Sequence, residues 1–236
     1  ERLLRYPGFL KRDTFAKGRM EIVELKLEAD SRLCNVTLSS LNTLVRCRVL
    51  VCAVLRGGNA IAPDGNFVLH AGDRVFVTAS TEVLSELLKN LGIVTHRAQR
   101  VMLIGGGKIS YYLAQALEVS RLDVQLVEKD PDICEQMAKA LPRTTVIQGD
   151  AADRSVLEGE GLASCDALVT LTGLDELNMV ISLYGSGFGV KQIITKVGRM
   201  EDGRVLDSLP LGSVICPRKL SCSTIVRYVR AMQKQA

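Results

Sequence analysis

Few side chains in this 236-residue sequence are placed to do chemistry, and those that are gather after residue 100. Gly105-Gly106-Gly107-Lys108-Ile109-Ser110 follows the apolar run Val101-Met102-Leu103-Ile104, and Leu113, Ala114 and Leu117 continue at helical spacing. Strand, glycine turn and helix in that order make an anion cradle. Gly105 permits a tight turn, Gly107 lets backbone N–H groups approach a pyrophosphate, and the positive end of the helix faces it. The third glycine of the dinucleotide fingerprint is Ser110 here, small enough for helix-to-strand packing but a departure from the pattern. Lys108 is misplaced for a helix start on electrostatic grounds, yet well placed to neutralise phosphate. Glu128 stands 23 positions after Gly105 at the close of the next strand pattern. A carboxylate there accepts hydrogen bonds from both hydroxyls of a ribose and repels a 2′-phosphate; without the glycine turn it is an ordinary strand-end charge.

Two further strand patterns end on polar residues at the same edge. Gly149-Asp150-Ala151 offers Asp150 either as an adenine-side contact or as a turn residue, and Asp153 is expected to cap the helix that follows. After Leu171-Thr172-Gly173, Thr172 is expected to cap a helix, and Glu176 is a candidate to face a phosphate-bound cation.

The elements that must position these residues alternate in kind. Strand patterns at 100–104, 124–127, 145–147, 167–171 and 192–196 are separated by helical segments, with 214–215 as a sixth strand and 220–232 as a closing helix. That alternation predicts an α/β fold, a Rossmann-like doubly wound parallel sheet, over 98–236. Residues 20–95 keep another rhythm. Val23, Leu25 and Leu27 alternate with Glu24, Lys26 and Glu28, as a strand with one wet face requires. A short helix is expected at 38–41, and Gly57-Gly58-Asn59, Pro63-Asp64-Gly65 and Gly72-Asp73 punctuate the Val-rich run 48–55 and the strand 74–79. Thr81 is expected to cap a helix bearing Val83, Leu84, Leu87, Leu88 and Leu91, which Gly92 ends. The region reads as a small α+β subdomain that ends near residue 95. Residues 1–19 show no sustained period and read as a connecting arm, and a start at Glu1 rather than Met is expected of a piece of a longer protein.

Composition narrows the function classes. The net charge of +4 resides wholly in residues 1–98, with 14 Lys and Arg against 10 Asp and Glu, too diffuse for a nucleic-acid footprint. No apolar run reaches the ~18–20 residues of a membrane span. Seven cysteines without a CxxC pair argue against a disulfide framework or zinc site and fit a reducing compartment. His70 and His96 are the only histidines, and neither stands in catalytic spacing, so a binding protein rather than an enzyme is expected.

Taken together, Gly105-Gly106-Gly107-Lys108-Ile109, Val127-Glu128-Lys129-Asp130, Gly149-Asp150-Ala151-Ala152-Asp153 and the run 171–178 resemble the nucleotide-binding subdomain of regulators of potassium conductance, in particular their Trk-type branch. Val54-Leu55-Arg56-Gly57-Gly58, Ile61-Ala62-Pro63-Asp64-Gly65 and Leu69-His70-Ala71-Gly72-Asp73-Arg74-Val75 are similar to the family's C-terminal ligand subdomain. The resemblance implies a cytoplasmic sensor of NAD(H) or ATP/ADP that assembles as a homo-oligomer beneath a separate Trk-type membrane potassium transporter and gates it. It implies that Gly105, Gly107, Lys108 and Ile109 hold phosphate, Glu128 the ribose with Lys129 assisting, Asp150 and Ala151 the adenosine end, and Thr172 the inner wall. The apolar stretches 180–183 and 220–229 are generous for a monomer and lead us to expect at least a dimer. Two alternatives stand beside this reading: an NAD-dependent oxidoreductase, and a scaffold with a vestigial pocket.

Overall fold

The computed structural model describes residues 11–15, 20–92, 98–198, 206 and 209–233. They divide into two compact units, the second starting at Ala98. The expected boundary near residue 95 lies outside the described residues.

The first unit comprises β1 (Lys11–Phe15), β2 (Met20–Lys26), α1 (Leu38–Val45), β3 (Leu50–Arg56), β4 (Asn59–Ile61), β5 (Arg74–Ala79) and α2 (Thr81–Asn90). Its sheet is antiparallel in the order β1-β2-β5-β3-β4. Gly57 and Gly58, at φ +58° and +82°, form the two-residue turn between β3 and β4, a conformation glycine adopts without penalty. Val23, Leu25, Val54, Val75 and Val77 of the sheet pack with Leu41 and Val45 of α1 and Leu84, Leu87 and Leu88 of α2.

Three expectations change here. Part of the supposed arm is a strand: Lys11–Phe15 pairs with β2 from Lys11 opposite Glu24 to Phe15 opposite Met20, so β2 is an interior strand. The expected wet face of β2 is wet at Lys26 but not at Glu24, which is 1% exposed and paired with Arg74 of β5; on the opposite face Glu21, 4% exposed, accepts the Thr81 hydroxyl on Oε1 at 2.8 Å. Ser80, not Thr81, occupies the cap position of α2, since the Thr81 side chain is turned toward Glu21. Gly92, at φ +71°, does end the turn, its amide donating to the Lys89 carbonyl at 3.1 Å.

One ion pair braces the β3–β5 end of this sheet. Asp73, 1% exposed, receives two 2.7 Å hydrogen bonds from Arg56 and one of 2.8 Å from the His70 amide. The Arg56 bonds outweigh burial and, with the His70 amide, hold the Asp73 carboxyl below the usual carboxylate range. The guanidinium also donates to the Val68 carbonyl at 2.7 Å and lies 4.6 Å over the Phe67 ring.

The second unit comprises β6 (Arg100–Ile104), α3 (Lys108–Val119), β7 (Asp123–Glu128), α4 (Pro131–Ala140), β8 (Thr144–Gln148), α5 (Arg154–Gly159), β9 (Ala167–Thr170), α6 (Asp175–Gly187), β10 (Gln192–Lys196), β11 (Ser213–Ile215) and α7 (Pro217–Gln233). All six strands are parallel, in the order β11-β10-β9-β6-β7-β8. The central strands are buried on both faces, which is why 101–104 and 167–169 are unbroken apolar runs. From β6 the chain winds outward through β7 and β8, then returns to the other side of β6 and winds through β9, β10 and β11. The connections leaving β6 and β9 therefore diverge and open a crevice at the carboxyl edge, the switch point where such sheets place ligands.

Candidate functional site

The glycine loop lies at that switch point. Gly105 has φ +97°, and a Cβ placed on it would meet Thr172 Cα and N at 3.1 Å, so only glycine fits between the ends of β6 and β9. The loop extends the sheet ladder: the Gly105 amide donates to the Val127 carbonyl at 2.8 Å, and the Leu171 amide to the Ile104 carbonyl at 2.8 Å. Gly107, extended at φ −75° and ψ 176°, is the cap residue of α3, with open space where its Cβ would be. The first amide returned into the helix is that of Tyr111, to the Gly107 carbonyl at 3.1 Å, so the N–H groups before it head the exposed helix start. Lys108 and Ile109 are exposed there. Ser110, fully buried, donates its hydroxyl to the Gly105 carbonyl, so the departure from the fingerprint ties helix to loop rather than loosening them.

Glu128 ends β7 against this loop. Its Oε2 accepts the Gly106 amide at 2.6 Å, and its Oε1 accepts the Lys129 and Asp130 amides at 2.8 and 2.9 Å. The carboxylate is thus oriented before any ligand arrives, with acceptor capacity left on Oε2. Lys129 is exposed. Asp130 caps α4, accepting the Asp132 and Ile133 amides. Burial, together with the charges of Glu128 and Asp130, pushes up the Cys134 thiol below the site, which donates to the Glu128 carbonyl at 3.3 Å. That thiol is a packing group, not a nucleophile.

At the third strand end the Gly149 amide donates to the Glu128 carbonyl at 2.9 Å, which brings Asp150 to the same rim. Asp150 is exposed and accepts the Ala152 amide at 2.9 Å, an Asx turn that leaves one carboxylate oxygen outward. The Ala151 side chain points into the core with Val156 and Leu157, so only its backbone reaches the rim. Asp153 caps α5 as expected, and its bonds from Ser155 hold its carboxyl below the usual range.

Thr172 does not cap α6, which begins at Asp175 behind Leu174. It is gripped by Asn178 instead. Asn178, fully buried, accepts from the Thr172 amide at 2.9 Å and hydroxyl at 2.8 Å through Oδ1, and donates through Nδ2 to the carbonyls of Thr172 at 3.2 Å and Lys196 at 3.1 Å. The Lys196 ammonium donates to the Thr172 carbonyl at 2.6 Å. Glu176 is exposed, and no cluster of three metal-ligating side chains occurs among the described residues. Asn178 and Lys196 are the site residues that sequence reasoning did not single out. The only signal for Lys196 was a charge closing an apolar parallel strand, as Glu128 does.

A doubly wound parallel sheet with a glycine turn at its switch point and an acid closing the second strand is a Rossmann-type nucleotide-binding domain. The family is equally plain: residues 101–217 match the TrkA-N domain and residues 22–92 the TrkA-C domain, so the chain belongs to the TrkA family. The Trk system potassium uptake protein TrkA of Haemophilus influenzae is 29% identical over 232 residues, 97% of this chain and 50% of that protein. The protein of the same name from Vibrio alginolyticus is 30% identical over 234 residues, 98% of this chain and 50% of its own length. The chain thus spans about half the length of the curated relatives it matches. Among solved structures, the GsuK RCK domain superposes with a TM-score of 0.63 at 16% identity, over 98% of this chain and 51% of the other. The GsuK channel bound to NAD gives the same score and identity and is covered over 41%. These likenesses establish the fold. No helix among the described residues is long and apolar enough to cross a membrane.

Proposed function

We propose that this chain is a regulatory part of a potassium uptake system, cytoplasmic and homo-oligomeric, which binds NAD(H) or ATP/ADP at the glycine loop and so gates a separate membrane potassium transporter. The observation that carries the reading is the Glu128 carboxylate, held by three backbone amides beside the glycine loop. It suits a ribose diol, which NAD(H), ATP and ADP all possess, beside a helix start suited to their phosphates. In this assignment Gly105, Gly107, Lys108 and Ile109 flank the phosphates, Lys129 and Glu128 the ribose, Asp150 and the Ala151 backbone the adenosine end, and Thr172 the inner wall. Exposed Leu220, Ile225 and Val226 on α7 supply apolar surface for self-association.

We read the site as one that binds rather than catalyses. A ligand acts in such a protein through unequal affinity for two assembly states, which shifts their populations and is transmitted to the partner.

Calorimetric titration of the 236-residue chain with NAD, NADH, ATP and ADP tests the reading. Saturable binding is expected, weakened at least about tenfold in Glu128→Ala because a charged hydrogen-bond acceptor is lost. Glu128→Gln, which keeps one acceptor for the loop amides, separates ribose recognition from loop collapse. Absence of binding by all four nucleotides sinks the proposal.

A further inference from the structure

The two halves of the parallel sheet close differently. In each half the second strand ends on a charged residue at the carboxyl edge: Glu128 on β7 in one, Lys196 on β10 in the other. The fold consists of two mononucleotide-binding halves, so Lys196 stands in the second half where Glu128 stands in the first. Opposite charges at equivalent positions suit opposite ligand chemistry: an acid for a ribose diol, a cation for a group that carries negative charge.

The surroundings of Lys196 point the same way. Its ammonium is partly buried and held 2.6 Å from the Thr172 carbonyl, and Thr172 is the residue whose backbone leaves no room for a side chain at Gly105. No carboxylate lies within ion-pair distance of it among the described residues, unlike Arg56 and Arg74 of the first unit, whose partners are Asp73 and Glu24. An ammonium has three donors and no acceptor. With one donor on a neutral carbonyl and no described carboxylate paired with it, the partly buried ammonium at this strand end is a charge that an incoming anion relieves and an incoming cation worsens. Asn178 fixes the geometry from the other side, joining the Thr172 and Lys196 carbonyls through one amide group.

We infer that Lys196 sorts nucleotides by the charge of the portion beyond the pyrophosphate, favouring a terminal phosphate over its absence and the neutral reduced nicotinamide over the positively charged oxidised ring. The inference rests on the nucleotide-binding reading above and deepens it. Lys196 is a specificity residue, whereas Glu128 supplies affinity common to all four ligands.

The test is the pair of affinity ratios, ATP over ADP and NADH over NAD, measured by calorimetry on the full chain. In Lys196→Met, which keeps the aliphatic stem and removes the charge, each ratio is expected to fall about three- to tenfold, the size of one unit charge acting across a partly screened site. Lys196→Arg, which keeps the charge, is expected to restore both. A merely structural Lys196, acting through the Thr172 carbonyl, would weaken all four ligands alike and leave both ratios unchanged, and that outcome overturns the inference while leaving nucleotide binding intact. Failure of the unaltered chain to bind any of the four overturns the underlying reading and this inference with it. Circular dichroism of both variants identifies a misfolded protein, in which case the ratio in Lys196→Gln decides.

Discussion

The two units bury charge for opposite ends. In the antiparallel unit each inward cation has a carboxylate of its own unit: Arg56 with Asp73, Arg74 with Glu24. In the parallel unit the charges at the strand ends are held by backbone groups, Glu128 by three amides and Lys196 by a carbonyl. A charge matched to a charge is satisfied and holds the fold together. A charge oriented by neutral dipoles keeps most of its field, and that is what a ligand meets. The contrast teaches where to look for function in a molecule with many charges: partners matter more than burial.

Breaking the comparison at its steepest point means attacking the backbone that brings the halves of the crevice together. Gly105→Val places a branched side chain at a positive φ and against the Thr172 backbone, and is expected to destabilise the second unit by about 4 kcal/mol and to abolish nucleotide binding. Denaturant unfolding followed by circular dichroism checks the first effect and calorimetry the second; an unchanged midpoint would show that the two loops are not packed as described.

Asp73→Asn attacks the other side of the comparison. It is expected to cost about 2–3 kcal/mol in the first unit, at the low end for a broken buried pair because Arg56 is 35% exposed, with nucleotide affinity unchanged. The effect has a pH signature. The folded-state pKa of Asp73 is depressed, so its stabilisation is complete above the ordinary carboxylate range and is lost as pH falls through the depressed value. The gap between wild type and variant therefore narrows in acid, and a gap constant from pH 7 to 3 would contradict the pairing. The smallest change sharpens the contrast within the site itself. Asp130→Ala removes the α4 cap at a cost of about 1 kcal/mol, and affinity is expected to stay within about twofold because Glu128 keeps its amide partners.

Much of this was legible in the sequence for identifiable reasons. Parallel strands covered on both faces are continuous apolar runs, so the six strands and their order of appearance follow from the periodicity alone. What escaped were partnerships across long sequence separations. Glu24 read as solvent-facing because nothing near it in sequence announces Arg74. Lys11–Phe15, with three charges in five residues, does not read as a strand, and only the free edge of β2 makes it one. Thr172 looked like a cap because threonine before a helix usually is one; its real partner, Asn178, is itself helical and six residues on. The sequence pointed to Glu128 at the end of one second strand and was silent about Lys196 at the end of the other.

The ladder that runs on past the strands into the loop has a kinetic side. With the Gly105, Gly106, Gly149 and Leu171 amides already bonded across the rim, there is little left to freeze when a nucleotide lands, and little rearrangement to wait for. If the proposed site binds adenine nucleotides, arrival is governed by diffusion and by the positive helix start, much the same for each of them, and selection falls to how long each one stays.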